Sequence, residues 1–514
     1  RFREQGPRWL LPAGIASFDP AALACVPPSQ RRLRPSCLPL IGLSVLLCEK
    51  DDLAAHTSSA STKLIHGGLR YLEQYDFALV RKALKEREVL LNAAPHIIWP
   101  LRFVLPHHKA LRPAWLIRLG LFLYDHIGGR KKLPATRTLS RKSSQVFAPL
   151  KGQFVKGFEY SDCWVEDSRL VVLNAMDAVE RGADIRTRTE CQSLTRYDDH
   201  WMANLRDQNG AVTEVTARTV INAAGPWVDA VDGLAGLTRN APQVRLVKGS
   251  HIIVPKLFDD ERCFIFQASD GRIVFAIPYE QGRFTLIGTT DLAFEGDLDA
   301  VAASPDEVSY LCALANEYFT QHISPDDVIS TYSGVRPLYE DQAADASSVT
   351  RDYVLKSNAA DGAPIVSVVG GKITTYRKLS EDVLACLSDA FPALPASWTA
   401  ATPLPGGDLP EADFDAFERA CAAQYPWLDA GLRHRLARTY GTRLHRLLQD
   451  AASLSDLGSH FGAGLYQREL DYLIAHEFAL DVDDIVWRRT KLGLHMTDLE
   501  LNHLRLALAA RADA

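Results

Sequence analysis

Residues 364–387, PIVSVVGGKITTYRKLSEDVLACL, run from an apolar strand through two adjacent glycines into a helix. Gly370 and Gly371 end the strand, and Thr374 stands where the helix opens. The first turn of a helix offers unpaired backbone N–H groups and the positive end of the helix dipole. Lys372 adds a fixed positive charge. This unit favours an α/β fold with a site for a negatively charged group; the simpler alternative is a capped helix with a solvated lysine.

Two further segments have the form of strands that end at a binding edge. LSVLLCEK (43–50) is a short apolar strand that delivers Glu49, and a carboxylate in this place binds ribose in dinucleotide-binding units. INAAGPW (221–227) is a strand followed by Ala224 and Gly225, which leave room for a flat ligand beside the backbone. The plain alternatives are a solvated glutamate and an ordinary strand-to-helix turn.

The residues before Gly42 lack the glycine-rich loop that accompanies a ribose-binding acid in dinucleotide-binding units. A GxGxxG loop should follow a first strand about 20 residues before the ribose-binding acid. Residues 1–41 contain only Gly6 and Gly14, and they mix Pro, Arg and Cys without helical or strand periodicity. We therefore expect residues 1–41 to be an atypical segment, non-native or disordered, that supplies neither the first strand nor the phosphate loop.

The rest of the chain divides into a mixed part and a helical part. Four short strands follow at regular spacing, SHIIVP, CFIFQ, IVFAIPY and FTLIGTTD, which predicts an antiparallel sheet. After the linker TPLPGG (402–407), residues 411–514 have helical patterns and no strand signal. The predicted organisation is the segment 1–41, an α/β part interrupted by a mostly β part over 42–400, and a helical domain over 401–514.

Composition excludes several classes of protein. The chain has 57 basic and 63 acidic residues and a net charge of −6, so no overall basic field favours nucleic acid. Its nine cysteines form no CxxC motif, which predicts a reduced protein without a disulfide framework or a cysteine-based metal site. No apolar run reaches the about 20 residues of a membrane span.

Arginines and histidines are the candidate residues for substrate chemistry. Guanidinium groups suit bidentate recognition of phosphate, and Arg70, Arg336 and Arg351 stand in three separate places. His66 and His251 are candidate bases because imidazole titrates near neutral pH. For any single arginine the alternative is a surface salt bridge, and for a single histidine it is a structural role.

Eight segments in order resemble the FAD-dependent glycerol-3-phosphate dehydrogenases, in particular the aerobic bacterial enzyme that associates with the membrane. They are TSSASTKLIHGGLRYLE, GFEYSDCWVEDSRLV, NAAGPWVD, KGSHIIVP, IGTTD, TYSGVRPL, TRDY and GGKITTYRKL. The resemblance covers about residues 42–514 and includes WRRTKLG (487–493). It implies a doubly wound sheet for FAD, an antiparallel sheet that caps the substrate, as in D-amino-acid oxidase and glycine oxidase, and a C-terminal α-helical domain.

The resemblance also assigns roles to individual residues. The FAD contacts would be Glu49, Ser58, Ser59, Ser61, Thr62, Gly67, Gly68, Ala224, Gly225, Gly370, Gly371, Lys372 and Thr374. The substrate contacts would be Arg70, Tyr71, Arg336, Arg351 and Lys372. His251 would be the catalytic base, with His66 as the second candidate, and Arg336 would also take part in catalysis. The implied reaction oxidises sn-glycerol 3-phosphate to dihydroxyacetone phosphate by hydride transfer to FAD.

The implied electron acceptor is ubiquinone, and a quinone requires contact with a membrane. Without a spanning segment the protein would be peripheral and monotopic, in the cytoplasm on the inner face of the cytoplasmic membrane. The sequence leaves open whether the protein forms a homodimer. The candidate contact is WLIRLGLFLYDHIGGRKK (115–132), whose alternative is a core helix. Two other functions stay open: another FAD-dependent oxidase of the same fold, and an impaired product or non-catalytic scaffold without the phosphate loop.

Overall fold

The computed structural model describes residues 8–13, 43–72, 75–109, 111–129, 132–237, 244–268, 270–340, 352–392, 394 and 396–512, the first six in their backbone alone. The strands are β1 (Arg8–Ala13), β2 (Ser44–Glu49), β3 (Leu64–Ile65), β4 (Ile98–His107), β5 (Arg137–Ser140), β6 (Lys156–Val165), β7 (Asp184–Arg186), β8 (Thr189–Arg196), β9 (Trp201–Asp207), β10 (Val212–Ala217), β11 (Thr219–Asn222), β12 (Val244–Pro255), β13 (Cys263–Gln267), β14 (Ile273–Tyr279), β15 (Phe284–Gly288), β16 (Leu292–Ala293), β17 (Ser330–Tyr339), β18 (Val354–Asn358), β19 (Ile365–Val369), β20 (His460–Gly462) and β21 (Leu465–Tyr466). The α-helices are α1 (Phe77–Ala93), α2 (Ala114–Ile127), α3 (Asp167–Glu180), α4 (Val228–Leu234), α5 (Pro305–Tyr318), α6 (Tyr376–Cys386), α7 (Phe414–Gln424), α8 (Ala430–Tyr440), α9 (Leu444–Leu448), α10 (Gln467–His476) and α11 (Asp498–Ala512).

A six-stranded sheet forms the predicted α/β part, in the order β18-β19-β11-β1-β2-β7. All neighbours pair in parallel except the edge strand β18. Val45 and Leu47 of β2 share a buried cluster with α3 and α6, whereas Leu46 and Cys48 pack with α4 and the β8–β10 sheet. Both faces are therefore covered, which explains why the strands are continuous apolar runs.

Strand β1 lies in the middle of this sheet, so the expectation that residues 1–41 supply no strand is wrong for residues 8–13. Trp9 is in register with Val45 of β2 on one side and Thr219 of β11 on the other. Two parallel strands leave rows of unpaired N–H and C=O groups that a third strand must satisfy, and a buried six-residue strand carries no period-2 signal. The predicted loss of the phosphate loop falls on residues that lie outside the described ranges.

The predicted antiparallel sheet is confirmed and is larger than expected. Its order is β16-β12-β15-β14-β13-β4-β6-β3, with β17 paired to β12 and β5 paired to β6. The pairing of β13 with β4 is parallel, and the other pairings are antiparallel. The strands read as SHIIVP, CFIFQ, IVFAIPY and FTLIGTTD from the sequence are β12 to β15. This sheet faces the carboxyl ends of the parallel strands.

The C-terminal region has its own hydrophobic core. Buried residues from Leu409 to Leu504 form one cluster, including Phe417, Leu436 and Leu473. Five helices, α7 to α11, supply most of it, as predicted. No strand was expected here, but β20 and β21 form a short antiparallel hairpin. Strands of three and two residues are too short to leave a period-2 pattern in the sequence.

Buried polar groups join the C-terminal region to the rest of the molecule. Arg169 of α3 forms a two-pronged ion pair with Glu477, in which its Nη2 lies 2.9 Å from Oε1. His96 lies beside it with no exposed surface, and neither of its ring nitrogens has a hydrogen-bond partner among the described residues. Burial, followed by the charges of Arg169 and Arg438, lowers the pKa of His96 to about 3.

The buried imidazole of His96 should make the protein sensitive to acid. In the unfolded chain the imidazole of His96 is protonated below its ordinary pKa of about 6.5, whereas in the folded chain it is protonated only below about pH 3. Stability should therefore fall as the pH drops from about 6.5, by about 1.4 kcal/mol per pH unit for this group. His96→Leu should reduce the pH dependence of the unfolding transition between about pH 7 and about pH 5. His322→Leu, at an exposed position, is the control; equal slopes in all three proteins would contradict the assignment.

Candidate active site

A cavity of about 400 Å³ lies between the carboxyl ends of the parallel strands and the antiparallel sheet. The position is where open α/β sheets bind their ligands. Most residues that the sequence analysis singled out line it: Ser58, Ser61, Thr62, His66, Gly68, Arg70, Tyr71, Gly225, His251, Arg336, Gly370, Gly371, Lys372 and Thr374. Glu49, Ser59, Gly67 and Ala224 are described but are not among the lining residues, and Arg351 lies outside the described residues.

The Gly-Gly turn after β19 has the backbone form that the sequence predicted. Gly370 and Gly371 have φ angles of 77° and 114°, which residues with a Cβ atom rarely adopt. A Cβ at Gly370 would also lie 3.2 Å from the carbonyl oxygen of Asp352. The turn leads through a 3₁₀ turn, Ile373–Thr375, into α6. Backbone and helix terminus thus meet at the cavity wall without a side chain between them.

The stretch from Thr57 to Thr62 curls along the cavity instead of forming a strand. A 3₁₀ turn, Thr57–Ser59, begins it, and two hydrogen bonds tie it to β17: Thr57 Oγ1 donates to the Val335 carbonyl at 2.8 Å, and Tyr332 Oη donates to the Ser61 carbonyl at 2.9 Å. These bonds hold the stretch against β17, where Ser58, Ser61 and Thr62 line the cavity.

Ser59 and Gly67 belong to the same motif but do not line the cavity; their backbone groups form hydrogen bonds that stabilise the segment beside it. The Ser59 carbonyl accepts a hydrogen bond from Lys63 Nζ at 3.0 Å. The Gly67 N–H donates to Tyr124 Oη at 2.8 Å. Their contribution to the site is therefore backbone geometry.

His251 lies on β12 at the cavity wall and is almost fully buried. Its Nε2 lies 3.0 Å from Thr62 Oγ1, and its ring stacks on Tyr332 with a centroid distance of 4.7 Å. The opposing residue on β15 is Gly288, where a Cβ would lie 2.0 Å from the imidazole. Burial, followed by the charges of Lys63 and Arg336, holds the pKa of His251 well below its ordinary value. The ring is therefore neutral near pH 7.

His66 is the second histidine of the cavity. Its backbone N–H lies 3.2 Å from Thr374 Oγ1, which joins β3 to the start of the helix after the Gly-Gly turn. Burial, followed by the charges of Lys372 and Arg87, lowers its pKa to about 3. The two candidate bases are thus both neutral, and both lie among fixed positive charges.

Arg336 extends from β17 into the cavity beside the turn after β15. Its Nη1 lies 3.2 Å from Asp291 Oδ1, and its Nη2 lies 3.3 Å from the Thr290 carbonyl. A Cβ at Gly249 would lie 2.3 Å from Nη2, so the glycine leaves room for the guanidinium. Arg70 lines the same space. Sequence reasoning missed a further lining arginine, Arg272, which pairs with a carboxylate on its own turn.

Lys372 and Tyr71 meet across the cavity. The ammonium nitrogen lies 3.7 Å from the centre of the tyrosine ring, a cation–π distance. This contact joins the Gly-Gly turn to the end of the first predicted motif, which is where the sequence analysis expected flavin and substrate to meet.

Glu49 and Ala224 sit at strand ends but outside the cavity lining. Glu49 is the last residue of β2; it is buried, which raises the pKa of its carboxyl to about 8. Its Oε1 accepts a hydrogen bond from the Asp51 N–H at 3.2 Å. Ala224 precedes a turn in which Gly225 has a φ of 56°. Both are placed where a dinucleotide would run away from the cavity along the sheet edge.

The residues that organise the site were not predicted. Lys63 Nζ and Asp167 Oδ1 form an ion pair at 2.8 Å with almost no exposure to water. Asp167 Oδ2 also accepts from Ser61 Oγ at 2.7 Å. Both residues stand inside motifs that the sequence analysis quoted, and a lysine among small and apolar residues was the available signal.

The cavity fits the isoalloxazine end of FAD. Its wall combines a flat glycine turn at positive φ, hydroxyl groups, a helix terminus and the Lys372 ammonium, which together accept a planar ring that gains negative charge on reduction. The segment between β1 and β2, where a phosphate loop would stand in this fold, lies outside the described ranges.

Comparisons with known proteins agree with this geometry. The family model described as FAD dependent oxidoreductase matches residues 37–377. A second model, the C-terminal domain of alpha-glycerophosphate oxidase, matches residues 397–512. Together they account for both parts of the molecule.

Relatives match most of the chain. A protein of Pseudomonas aeruginosa named glycerol-3-phosphate dehydrogenase is 54% identical over 458 residues, which are 89% of this chain and 88% of the relative. A D-erythritol 1-phosphate dehydrogenase of Brucella abortus is 51% identical over 89% of this chain and 91% of the relative. The aerobic glycerol-3-phosphate dehydrogenase of Escherichia coli is 46% identical over 88% and 90%.

A solved structure with the same architecture is that of the glycerol-3-phosphate dehydrogenase from Bacillus halodurans, determined in complex with FAD. It is 25% identical, superposes with a TM-score of 0.74, and the match covers 99% of this chain and 90% of that one. On these matches the protein belongs to the FAD-dependent oxidoreductase family, in the branch that contains the glycerol-3-phosphate dehydrogenases.

Proposed function

We propose that the protein oxidises sn-glycerol 3-phosphate to dihydroxyacetone phosphate, with FAD as the first electron acceptor and a quinone as the second. The observation that carries the proposal is the cavity itself, where a neutral imidazole, His251, and a guanidinium, Arg336, line the same space as the Gly-Gly turn. The names of the relatives from Pseudomonas and Escherichia support the same substrate.

When bound, FAD supplies the acceptor for the hydride that leaves C2 of the substrate. His251 is our proposed base for the C2 hydroxyl proton, and His66 is the second candidate. His251 is held neutral by burial and nearby cations, and the hydroxyl of Thr62, on the same wall, lies 3.0 Å from its Nε2. That contact gives a proton a short path from the cavity to the imidazole.

The phosphate of the substrate is assigned to the arginines and Lys372. Arg336 has its guanidinium oriented by Asp291 and the Thr290 carbonyl, which favours a fixed, bidentate contact with phosphate oxygens. Arg70 and Tyr71 line the same cavity. Arg351 keeps its proposed role from the sequence alone.

The contacts to FAD are proposed along the turns that border the cavity. Glu49 is assigned to ribose, and the remaining contacts are assigned to the pyrophosphate and the ring: Ser58, Ser59, Ser61, Thr62, Gly67, Gly68, Ala224, Gly225, Gly370, Gly371, Lys372 and Thr374.

Purified protein should accordingly be yellow, and glycerol 3-phosphate should bleach its flavin absorbance without oxygen. A colourless protein that takes up no added FAD would favour the scaffold instead.

A longer polyol phosphate is the second candidate substrate. The relative from Brucella is named D-erythritol 1-phosphate dehydrogenase, and its identity of 51% lies between those of the glycerol-3-phosphate dehydrogenases of Pseudomonas aeruginosa (54%) and Escherichia coli (46%). Both molecules present a phosphate and a secondary alcohol, so the same arginines and base would serve. The ratio of kcat/KM for the two substrates decides between them.

Helix α2 is the proposed contact with the membrane, on the cytoplasmic face. One side is buried through Leu121 and Tyr124, while the opposite side exposes four large apolar residues. They are Trp115 (70% exposed), Leu119 (47%), Phe122 (49%) and Leu123 (37%). No helix in the described part of the chain is both long and apolar enough to cross a bilayer, so the exposed face suits a helix lying in the interface.

Removal of the Arg336 guanidinium should impair catalysis without loss of cofactor. Truncating one partner of a buried charge contact costs about 2–5 kcal/mol, so Arg336→Ala should lower kcat/KM for glycerol 3-phosphate by about 30-fold to several thousand-fold. Arg351→Ala should behave alike. The control is Arg206→Ala, which breaks an exposed pair with Glu190. Near-normal kcat/KM in both Arg336→Ala and Arg351→Ala would make the phosphate assignment wrong.

The Lys372 charge should set the potential of bound FAD. Charges about 4 Å apart interact by roughly 4 kcal/mol at an effective dielectric constant near 20, and about 1.4 kcal/mol corresponds to 30 mV for a two-electron couple. Lys372→Met should therefore lower the midpoint potential by tens of millivolts and slow hydride transfer, with FAD still bound. Lys378→Met, on the following helix with a partly exposed side chain, is the matched control. An unchanged potential in the first variant rejects the role.

The exposed face of α2 should be required for binding to lipid and not for chemistry. Trp115→Ser combined with Phe122→Ser should abolish co-sedimentation with vesicles of phosphatidylglycerol and phosphatidylcholine, because large apolar side chains supply the interfacial binding energy. Reduction of a water-soluble dye by substrate should persist. The control pair is Leu499→Ser with Leu506→Ser, which removes exposed apolar groups from α11. Undiminished vesicle binding by the first pair would exclude α2.

A further inference from the structure

The C-terminal domain contacts the loop that carries the proposed FAD residues. Residues 484–491, here called the bracing segment, include the π-helical turn Asp484–Arg489. Residues 50–63, here called the cofactor loop, connect Glu49 at the end of β2 with β3. The contacts lie at both ends of this loop.

The first contact is a buried, two-pronged ion pair. Arg489 has no exposed surface, and Asp52 is 3% exposed. The Nη1 and Nη2 atoms of Arg489 lie 2.5 and 2.7 Å from the two carboxylate oxygens of Asp52. Arg488 Nε donates to the same carboxylate at 2.6 Å. Arg489 Nε donates to the Glu477 carbonyl at 2.8 Å, which fixes the guanidinium within its own domain.

The second contact reaches the other end of the loop through α3. Lys491 Nζ lies 3.1 Å from Ser168 Oγ. The neighbouring Asp167 accepts hydrogen bonds from Ser168 N at 2.8 Å, from Ser61 Oγ at 2.7 Å and from Lys63 Nζ at 2.8 Å. The bracing segment therefore borders the group that anchors residues 61 and 63.

Between the two anchors the cofactor loop has little regular structure, and the hydrogen bonds of Thr57 and Ser61 hold it to β17. It forms a single 3₁₀ turn, Thr57–Ser59, and Ser58, Ser61 and Thr62 line the cavity. Burial of a charge pair is costly unless its geometry is good and its remaining hydrogen bonds are made. The Asp52–Arg489 pair meets both conditions, which makes it a specific junction and not an incidental surface contact.

We propose that the bracing segment is a positioning element for FAD: by holding Asp52, and Asp167 through Ser168, it keeps the cofactor loop in the conformation that receives the cofactor. The helical domain thereby becomes part of the flavin site although none of its described residues lines the cavity. By linkage, docking of the domain and binding of FAD strengthen each other.

The test compares Arg489→Lys with Arg435→Lys. Arg435 forms an equivalent two-pronged pair with Glu469, at 2.7 and 2.8 Å, within the C-terminal domain and away from the cofactor loop. The dissociation constant of FAD is measured by flavin fluorescence on apoprotein, and the melting temperature is measured with and without FAD.

Arg489→Lys should raise the dissociation constant by at least about tenfold, which corresponds to 1.4 kcal/mol, and should reduce the stabilisation by FAD. Arg435→Lys should leave FAD affinity within about twofold even if it lowers the melting temperature of the apoprotein as much.

Lys491→Met keeps the proposal testable if Arg489→Lys does not fold. Met is an apolar side chain of similar length, so the replacement keeps the packing but removes the hydrogen bond from Lys491 Nζ to Ser168 Oγ. It should also weaken FAD binding and change the visible circular dichroism of the bound flavin. Normal FAD affinity in the folded bracing variants, or an equal loss in Arg435→Lys, would overturn the proposal. The readouts need no substrate, so a wrong assignment of substrate would not affect them.

Discussion

The ion pair between Lys63 and Asp167 is the contact on which the arrangement of the cavity depends. Its two side chains are 2% and 0% exposed, and two charges removed from water cost several kcal/mol unless hydrogen bonds satisfy them. Ser61 contributes both its N–H and its hydroxyl to the carboxylate, and the Ser59 carbonyl accepts from the ammonium. The need to satisfy this pair therefore fixes the chain over residues 59–63. Thr62, and with it the orientation of His251, follows from that constraint.

The charged side chains of the described residues that line the cavity are mostly basic: Arg70, Arg272, Arg336 and Lys372, against one acidic residue, Asp291. Burial, followed by the charges of Lys63 and Arg336, lowers the pKa of His251, and burial, followed by the charges of Lys372 and Arg87, lowers that of His66. Both imidazoles therefore stay neutral. An anionic substrate offsets part of this field. A phosphate bound beside Arg336 would therefore raise the basicity of His251 at the moment when a base is needed. Binding of the substrate phosphate and transfer of the proton to His251 are therefore electrostatically coupled.

Local patterns in the sequence were sufficient for several of the elements and turns. The Gly370–Gly371 turn and the strand that ends at Glu49 lie where they were predicted, because an apolar run, a pair of glycines and a helix start are all encoded within a few neighbouring residues. The resemblance to a family, and not any pattern, predicted that His251 and Arg336 share a cavity. The roles assigned to the individual residues stay predictions.

Contacts between distant parts of the chain could not be predicted in this way. Lys63 and Asp167 are 104 positions apart, and nothing in the composition around a lysine states that its ammonium is buried. The pairing of Asp52 with Arg489 spans 437 positions. Strand β1 was missed for a related reason: six residues carry too little pattern, and its place is decided by neighbours that come later in the chain.

The central position of β1 also has a consequence for how the protein is made. Its partner β11 starts at Thr219, so the ribosome, at about 5–20 residues per second, needs about 10–40 s after β1 to supply it. During this interval β1 and β2 can form a ribbon, but the edge of β1 stays open until β11 has been made. An open apolar edge is a template for pairing with another nascent chain. Yield in a cell should therefore depend on chaperones that shield this edge during translation more than on the stability of the finished fold.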